Sequence, residues 1–296
     1  MTDRSLPEQS LSEHSLPQQS LPSRPVPAAR RSLFGFELDA LTMDQTVERC
    51  LAAVRAGEQL EIGVVNAAKL VNMRRNPGLA EAVSGCDLVL ADGQAVVWAA
   101  RVLGAPLPER VAGIDLFLRL LAEAERGGIP VYLLGAKQSV LDLMIKQLAV
   151  KFPDLPVAGS RNGYFEDAEQ GAIADAIADS GAQLLFLGMT SPKKEIFTAG
   201  YGRRSGVRVV HGVGGSFDIL AGVTRRAPAA WQRLGLEWLY RALQEPRRLG
   251  RRYLTTNLRF LLMTARELVH RTPPPVRGRT RQPAPPSTGS VHRKRQ

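Results

Sequence analysis

The sequence predicts an α/β protein: a Rossmann-like, mostly parallel sheet sandwiched by helices, with a basic helical appendage on its C-terminal side. Three observations predict it. Short apolar runs, several bounded by Gly or Pro, alternate with segments of helical spacing. The runs are apolar almost throughout rather than every second residue, which suits strands covered on both faces. The charge is also divided: residues 225–296 hold 17 Lys and Arg against 3 Asp and Glu, whereas residues 1–224 hold 22 against 25. The chain's net +11 is therefore a +14 segment attached to a −3 body. That basicity is a property of one end, suited to a local encounter with an anionic surface.

In chain order, residues 1–32 open with the repeats SLPEQ, SLSEH, SLPQQ and SLP, a polar, proline-bearing tract expected to be disordered. Residues 33–224 form the main domain. Its strand-like runs are LEIGVV (60–65), DLVLA (87–91), PVYLLG (130–135), LPVAG (155–159), QLLFLG (183–188) and VRVVHG (207–212). Helical spacing covers 43–56, 66–84, 94–103, 114–126, 137–151, 167–180 and 192–204. Residues 225–271 read as two amphipathic basic helices broken at Pro246, and 272–296 as an extended Pro- and Arg-rich tail. The N-terminal stretch lacks the basic-then-apolar order of a secretory signal, and charges interrupt every apolar stretch before 18 residues. A cytoplasmic protein is expected. Cys50 and Cys86 have no partner at metal-ligand spacing and read as small core thiols.

Ligands of such sheets bind outside the carboxyl ends of the strands. That rule selects Asn66, the Asp92-Gly93 pair, Gly135, the segment Gly188 to Lys194, and GVGGSFD (212–218). Asp92 is a turn residue, a cap for the helix ahead of it, or a base that takes a proton, and the last two are compatible. GVGGSFD lacks the third glycine of a dinucleotide fingerprint, and no Walker lysine occurs, so neither a nicotinamide nor a P-loop site is expected. Gly212, Gly214 and Gly215 either make a tight turn or let backbone N–H groups approach a phosphate. Pro192 opens a helix with Lys193 and Lys194 in its first turn, where cations oppose the helix dipole unless water or an anionic ligand receives them. Arg110 suits an ion pair with Glu109 or Asp115, or a phosphate. The appendage, with Leu236, Leu239, Tyr240 and Leu243 on one helix and Leu254, Leu258, Leu261, Leu262 and Leu268 on the next, suits a lipid headgroup layer, a partner groove, or packing on the core.

Seven ordered motifs resemble the WecG/TagA/CpsF family of bacterial glycosyltransferases over roughly residues 34–255: NAAKLV (66–71), ADGQAVVWA (91–99), RVAGIDL (110–116), NGYF (162–165), SPKKEIF (191–197), GVGGSFD (212–218) and RAPAAWQRLGLEWLYRALQEPRR (226–248). The resemblance implies inverting, metal-independent transfer of a sugar, with no cofactor. The donor implied is a UDP-sugar, typically UDP-N-acetylmannosamine, and the acceptor a polyprenyl-diphosphate-linked N-acetylglucosamine at the inner face of the cytoplasmic membrane. Other family members use UDP-glucose or other UDP-sugars. Asp92 inherits the role of base. Asn66, Gly93, Arg110, Gly135, Lys193, Lys194, Glu195, Gly212, Gly214 and Gly215 are the expected substrate contacts, and Arg247, Arg248, Arg251 and Arg252 are expected to close over the site. Two positions depart from the family pattern: Val64 stands where a Thr is common, and Lys194 where the PKQE motif has Gln. The anionic membrane is an expected partner and nucleic acid is not. The rival classes are a non-catalytic membrane- or nucleic-acid-binding protein and an oxidoreductase on a similar sheet.

Overall fold

The computed structural model describes residues 29–244 and 250–270. In chain order the elements are β1 (Arg30–Leu33), β2 (Phe36–Asp39), α1 (Met43–Ala56), β3 (Leu60–Val65), α2 (Ala67–Met73), α3 (Pro77–Ser84), β4 (Leu88–Ala91), α4 (Gln94–Val102), α5 (Gly113–Gly127), β5 (Val131–Gly135), α6 (Gln138–Lys151), β6 (Val157–Arg161), α7 (Gln170–Asp179), β7 (Leu184–Gly188), α8 (Lys193–Tyr201), β8 (Val209–Gly212), α9 (Ser216–Leu220), α10 (Ala229–Arg233), α11 (Glu237–Gln244) and α12 (Arg251–His270).

Strands β3 to β8 form one parallel sheet in the order β4-β3-β8-β7-β5-β6. Each of the six apolar runs supplies one strand. Successive side chains of a strand point to opposite faces, and here both faces meet helices except at edge strand β6, whose residues are exposed or half-buried, contrary to the expectation for its apolar run. Ile62, Val64, Leu133, Phe186 and Val209 enter one core with Phe117 of α5, Met144 of α6 and Phe217 of α9. On the other face, Val65, Val89 and Ala91 pack with α2, α3 and α4, and Leu134, Leu185, Leu187 and Val210 with α7 and α8. Cys50 and Cys86 are buried free thiols, each pushed up to about 12 by burial.

Three features depart from expectation. The folded chain opens at Arg30, ahead of the boundary at 33, with an antiparallel hairpin of β1 and β2. Its two-residue turn needs positive φ at both central positions, and Phe34 (φ 56) and Gly35 (φ 81) supply it. Burial of the Phe34 ring against Phe260 of α12, centroids 5.5 Å apart, offsets that backbone cost. Asp39 at the end of β2 accepts the Val89 N–H at 2.8 Å, so the hairpin satisfies a donor on edge strand β4. Second, the stretch 66–84 is two helices, because Pro77 cannot continue the first and Asn76 caps the second by accepting from Leu79 N–H. Third, α12 is two-sided. Thr256, Phe260 and Met263 are buried, the last two in the core cluster that holds Phe34. At 3.6 residues per turn the opposite side carries Leu254, Leu258, Leu261, Leu262 and Leu268, each more than half exposed. Residues 1–28 and 271–296 lie outside the described residues, and with them the repeat tract and the tail.

Glycines at strand ends let neighbouring elements close on the sheet. A Cβ on Gly188 would lie 2.3 Å from the Phe217 ring, and one on Gly135, whose φ is 149, would lie 2.4 Å from the Gly188 carbonyl carbon. Gly188→Ala should therefore destabilise by about 1–3 kcal/mol, the usual cost of overpacking a filled core, read as a lower urea midpoint at unchanged m-value. An unchanged midpoint would show that the Phe217 ring moves aside freely.

Candidate functional site

The C-terminal edge of the sheet gathers the strand-end residues. Asn66 caps α2, its Oδ1 accepting the Lys69 N–H at 3.0 Å. Gly93 lies against it: a Cβ there would come 3.1 Å from Asn66 Cβ, so a bare backbone is what lets the β4–α4 turn approach the end of β3. Asp92 is half-buried between them and α5, and its Oδ1 accepts the Gly113 N–H at 2.8 Å. The carboxylate thus caps α5, 21 residues downstream. The helix immediately ahead, α4, has Gly93 at its cap position and no side-chain cap. Chain proximity misidentified the helix because the 103–112 loop returns the start of α5 to the strand end, with Val111 N–H donating to Ala91 O. Among the described residues Oδ2 of Asp92 has no hydrogen-bond partner.

Arg110 is mostly buried and held by two carboxylates, Glu237 of α11 at 3.2 Å and Asp115 at 3.8 Å. Glu109, the other expected partner, instead accepts the Met43 N–H. Arg226 binds Asp115 at 2.7 Å, so two ion pairs clamp the appendage over the rim. Gly235 sits against the start of α4, where a Cβ would lie 3.0 Å from the Trp98 ring. Trp231 and Tyr240 pack edge to face with centroids 5.7 Å apart, bracing α10 against α11. Arg251 and Arg252 open α12, and Arg247 and Arg248 lie outside the described residues.

The two lysines expected to face solvent or ligand are engaged inside the protein. Lys193 donates to the Gly163 and Phe165 carbonyls at 3.1 and 2.8 Å, its ammonium 3.8 Å from the Phe165 ring centroid. Lys194 is buried beneath Gly212, where a Cβ would lie 3.1 Å from Lys194 Cδ. Its ammonium and that of Lys69 (2.7 Å) converge on one oxygen of Glu195, Oε1, leaving Oε2 buried without a partner. A cavity of about 10 Å³ adjoins the three side chains, room for about one water. Burial, then repulsion from Lys69, lowers Lys194 to about 8. Burial would raise Glu195, but the two ammoniums outweigh it and pull it to about 2.

In the 212–218 turn, the N–H groups of Val213 and Gly214 both donate to Leu187 O, and that of Ser216 to Val213 O. Gly214 has φ 54, so the turn itself uses these glycines. Gly135 is held between Gly188 and Gly163. Val64 points into the core beside Gly113.

Sequence reasoning anticipated Asp115 as a partner of Arg110 but overlooked Lys69, Arg226, Glu237 and His211. A lysine three residues after Asn66 in the mostly apolar α2 was a signal for Lys69. His211, the last side chain of β8 before Gly212, is wholly buried, with Nε2 3.0 Å from Gly113 O and Nδ1 unpartnered. Burial lowers it to about 4, so the ring is neutral at physiological pH. Among the described residues no group of three or more His, Cys, Asp or Glu side chains is placed to hold a metal ion.

A parallel sheet packed between helices, with the Asp92 carboxylate at the C-terminal end of β4 and Arg110 ion-paired to Asp115 and Glu237 on the loop that returns there, defines a Rossmann-like α/β protein with polar groups gathered at that edge. The family model described as "Glycosyl transferase WecG/TagA/CpsF family" matches residues 31–273, and the chain belongs to that glycosyltransferase family. It is a transferase, and the family implies in general a sugar-nucleotide donor and a lipid-linked acceptor.

Two buried groups, His211 and Glu195, contribute to the response of stability to falling pH on the acid side of neutrality. The unfolded chain binds a proton at His211 below pH 6.5, which the folded chain refuses until about pH 4, so stability falls as pH drops through that window. The loss is about 3 kcal/mol, and His211→Gln should remove it from urea titrations run between pH 7 and 4. Glu195 stays ionised in the folded chain down to about 2, so its contribution is lost only as pH falls from 4.5 toward that value. Identical pH slopes in wild type and His211→Gln would mean that the imidazole is not held neutral.

Proposed function

We propose that the chain moves a sugar from a UDP-sugar, with UDP-N-acetylmannosamine the leading donor, onto a polyprenyl-diphosphate-linked N-acetylglucosamine or similar lipid-linked sugar, inverting the anomeric centre. The observation that carries this reading is the placement of Asp92. One carboxylate oxygen is fixed by the start of α5 and the other has no partner at the strand edge where ligands of such sheets bind. In the transfer, Oδ2 takes the proton of the acceptor hydroxyl as that oxygen attacks the anomeric carbon, and the sugar's bond to the UDP oxygen breaks on the opposite face. Asn66, Gly93 and the 212–215 turn line the path. Arg110 and the appendage arginines Arg247, Arg248, Arg251 and Arg252 neutralise the departing diphosphate. Lys194 and Glu195 support the site from below: with Lys69 they place a net positive charge under Gly212. No cofactor or divalent ion is required in this reading, so turnover survives EDTA. Loss of activity in EDTA with recovery on adding magnesium or manganese overturns that part.

The reaction takes place at the inner face of the cytoplasmic membrane. No helix among the described residues is long and apolar enough to cross a membrane. The outward leucines of α12, on a segment of charge +14, support a peripheral attachment in which the leucines enter the acyl boundary and arginines meet anionic headgroups. Each Lys or Arg near such a surface adds about 1 kcal/mol, screened beyond a Debye length.

Asp92→Asn keeps a side-chain oxygen to cap α5 but cannot take a proton. It should lower kcat on the order of a hundredfold or more while UDP affinity and melting temperature stay near wild type; near-normal turnover leaves Asp92 a cap only. A panel of UDP-sugars tested on a short-chain lipid-diphosphate acceptor identifies the donor. For the attachment, Leu258→Glu combined with Leu261→Glu should abolish co-sedimentation with anionic vesicles while leaving turnover on a soluble acceptor intact. Wild-type protein that ignores such vesicles at low salt refutes the membrane role.

A further inference from the structure

His211 is the one buried imidazole among the described residues, and its partner is the residue that caps onto Asp92. Gly113 donates its N–H to Asp92 Oδ1 at 2.8 Å, and its carbonyl oxygen lies 3.0 Å from His211 Nε2. A carbonyl can only accept, so Nε2 carries the proton and Nδ1 is the bare nitrogen. That bare nitrogen is buried with no partner, a cost that an apolar side chain of the same volume would avoid.

The carbonyl does not need the imidazole for its own satisfaction, since in a helix it accepts the N–H four residues on. What the contact does is hold Gly113. The first residue of α5 is glycine, which has the greatest backbone freedom to lose. It has no steric reason to be one: a Cβ would meet only ordinary contacts, 3.8 Å from His211 Cε1 and 3.9 Å from Val64 Cγ2. Two side chains restrain it from opposite sides, Asp92 through N–H and His211 through C=O. The ring is itself wedged edge-on against Phe186, centroids 6.4 Å apart, so the anchor is rigid.

We infer that His211 is a positioning residue for the transfer: its Nε2–H grips the Gly113 carbonyl, which aims the Gly113 N–H at Asp92 and sets the direction of the free oxygen Oδ2. This rests on the reading of Asp92 as base. The imidazole exchanges no proton with substrate; it acts through one backbone residue on the carboxylate that does.

The test compares three full-length variants by kcat, donor KM, UDP affinity and melting temperature. His211→Gln can present an N–H near the Nε2 position, whereas His211→Met fills the space without a donor. The Gln variant should stay within about threefold of wild type and the Met variant should lose at least tenfold in kcat with donor KM unchanged. Adding His211→Met to Asp92→Asn should cost nothing further, because the two act through one group. Wild-type kcat in the Met variant, equal losses in Gln and Met, or full additivity with Asp92→Asn overturns the inference. Near-normal turnover of Asp92→Asn alone refutes the base assignment, a separate outcome. If the Met variant does not fold, ¹⁵N NMR of the wild-type histidines decides: the neutral Nε2–H tautomer at His211 is required, and an Nδ1–H tautomer overturns the inference.

Discussion

A parallel sheet covered on both faces leaves its polar backbone groups nowhere to act except at the strand ends, and this constraint organises the whole molecule. Ile62 and Val65, Phe186 and Leu187, Val209 and Val210 are consumed by the two cores. The N–H and C=O groups along the strands are consumed by the ladder. At the C-terminal ends the chain must turn into helices, whose first N–H groups lack partners. Asn66 and the 212–218 turn answer that shortage locally, and Asp92 answers it for α5, whose start returns to the end of β4. The candidate base is therefore also a structural solution: the group that terminates α5 is the group that remains half-exposed where a ligand can reach it.

The same constraint explains the glycines. Gly93 beside Asn66, Gly188 under Phe217 and Gly135 against Gly188 are places where two backbones, or a backbone and a ring, meet at the strand ends. A side chain at any of them would separate elements whose convergence creates the edge. Gly212 does this for a charge: its missing side chain admits the stem of Lys194, which brings an ammonium inside the protein. Burying two lysines with one glutamate is tolerable only because both ammoniums reach the same carboxylate oxygen, since an unpaired charge there would be strongly destabilising.

Strands and long helices were legible in the sequence because their signal is apolar periodicity, which each segment carries by itself. All six apolar runs became strands for that reason. The β1–β2 hairpin was not legible: a Phe-Gly turn with positive φ at Phe34 is paid for by contact with Phe260, more than 200 residues away. Site chemistry divided the same way. Asp92 and Asn66 follow from the rule that strand ends hold the ligand site, whereas Arg110 stood out separately as a guanidinium suited to an ion pair or a phosphate. Lys69, Glu237 and His211 act through partners about 100 or more residues away in the chain, and no local pattern announces such a long-range contact. The inward turn of Lys193 and Lys194 was hidden because a lysine in a first helical turn defaults to solvent, and only tertiary packing supplies Phe165 and Glu195.

The ion pairs at the rim connect the appendage to the site energetically. Arg110 is shared between Asp115 of the main body and Glu237 of the appendage, while Asp115 also receives Arg226 from the appendage. Within this partly buried quartet each charge is met by at least one opposite charge, so an arriving anion cannot take Arg110 without weakening its hold on Glu237. A diphosphate carries more charge than one carboxylate and can bind a guanidinium through two oxygens, so it competes well for that cation. Release of Glu237 would in turn loosen α11, the helix that leads through residues 245–249 toward α12 and its outward leucines. In the proposed reading, where Arg110 meets the donor diphosphate, the same charge also seats the appendage, which couples ligand occupancy to appendage position.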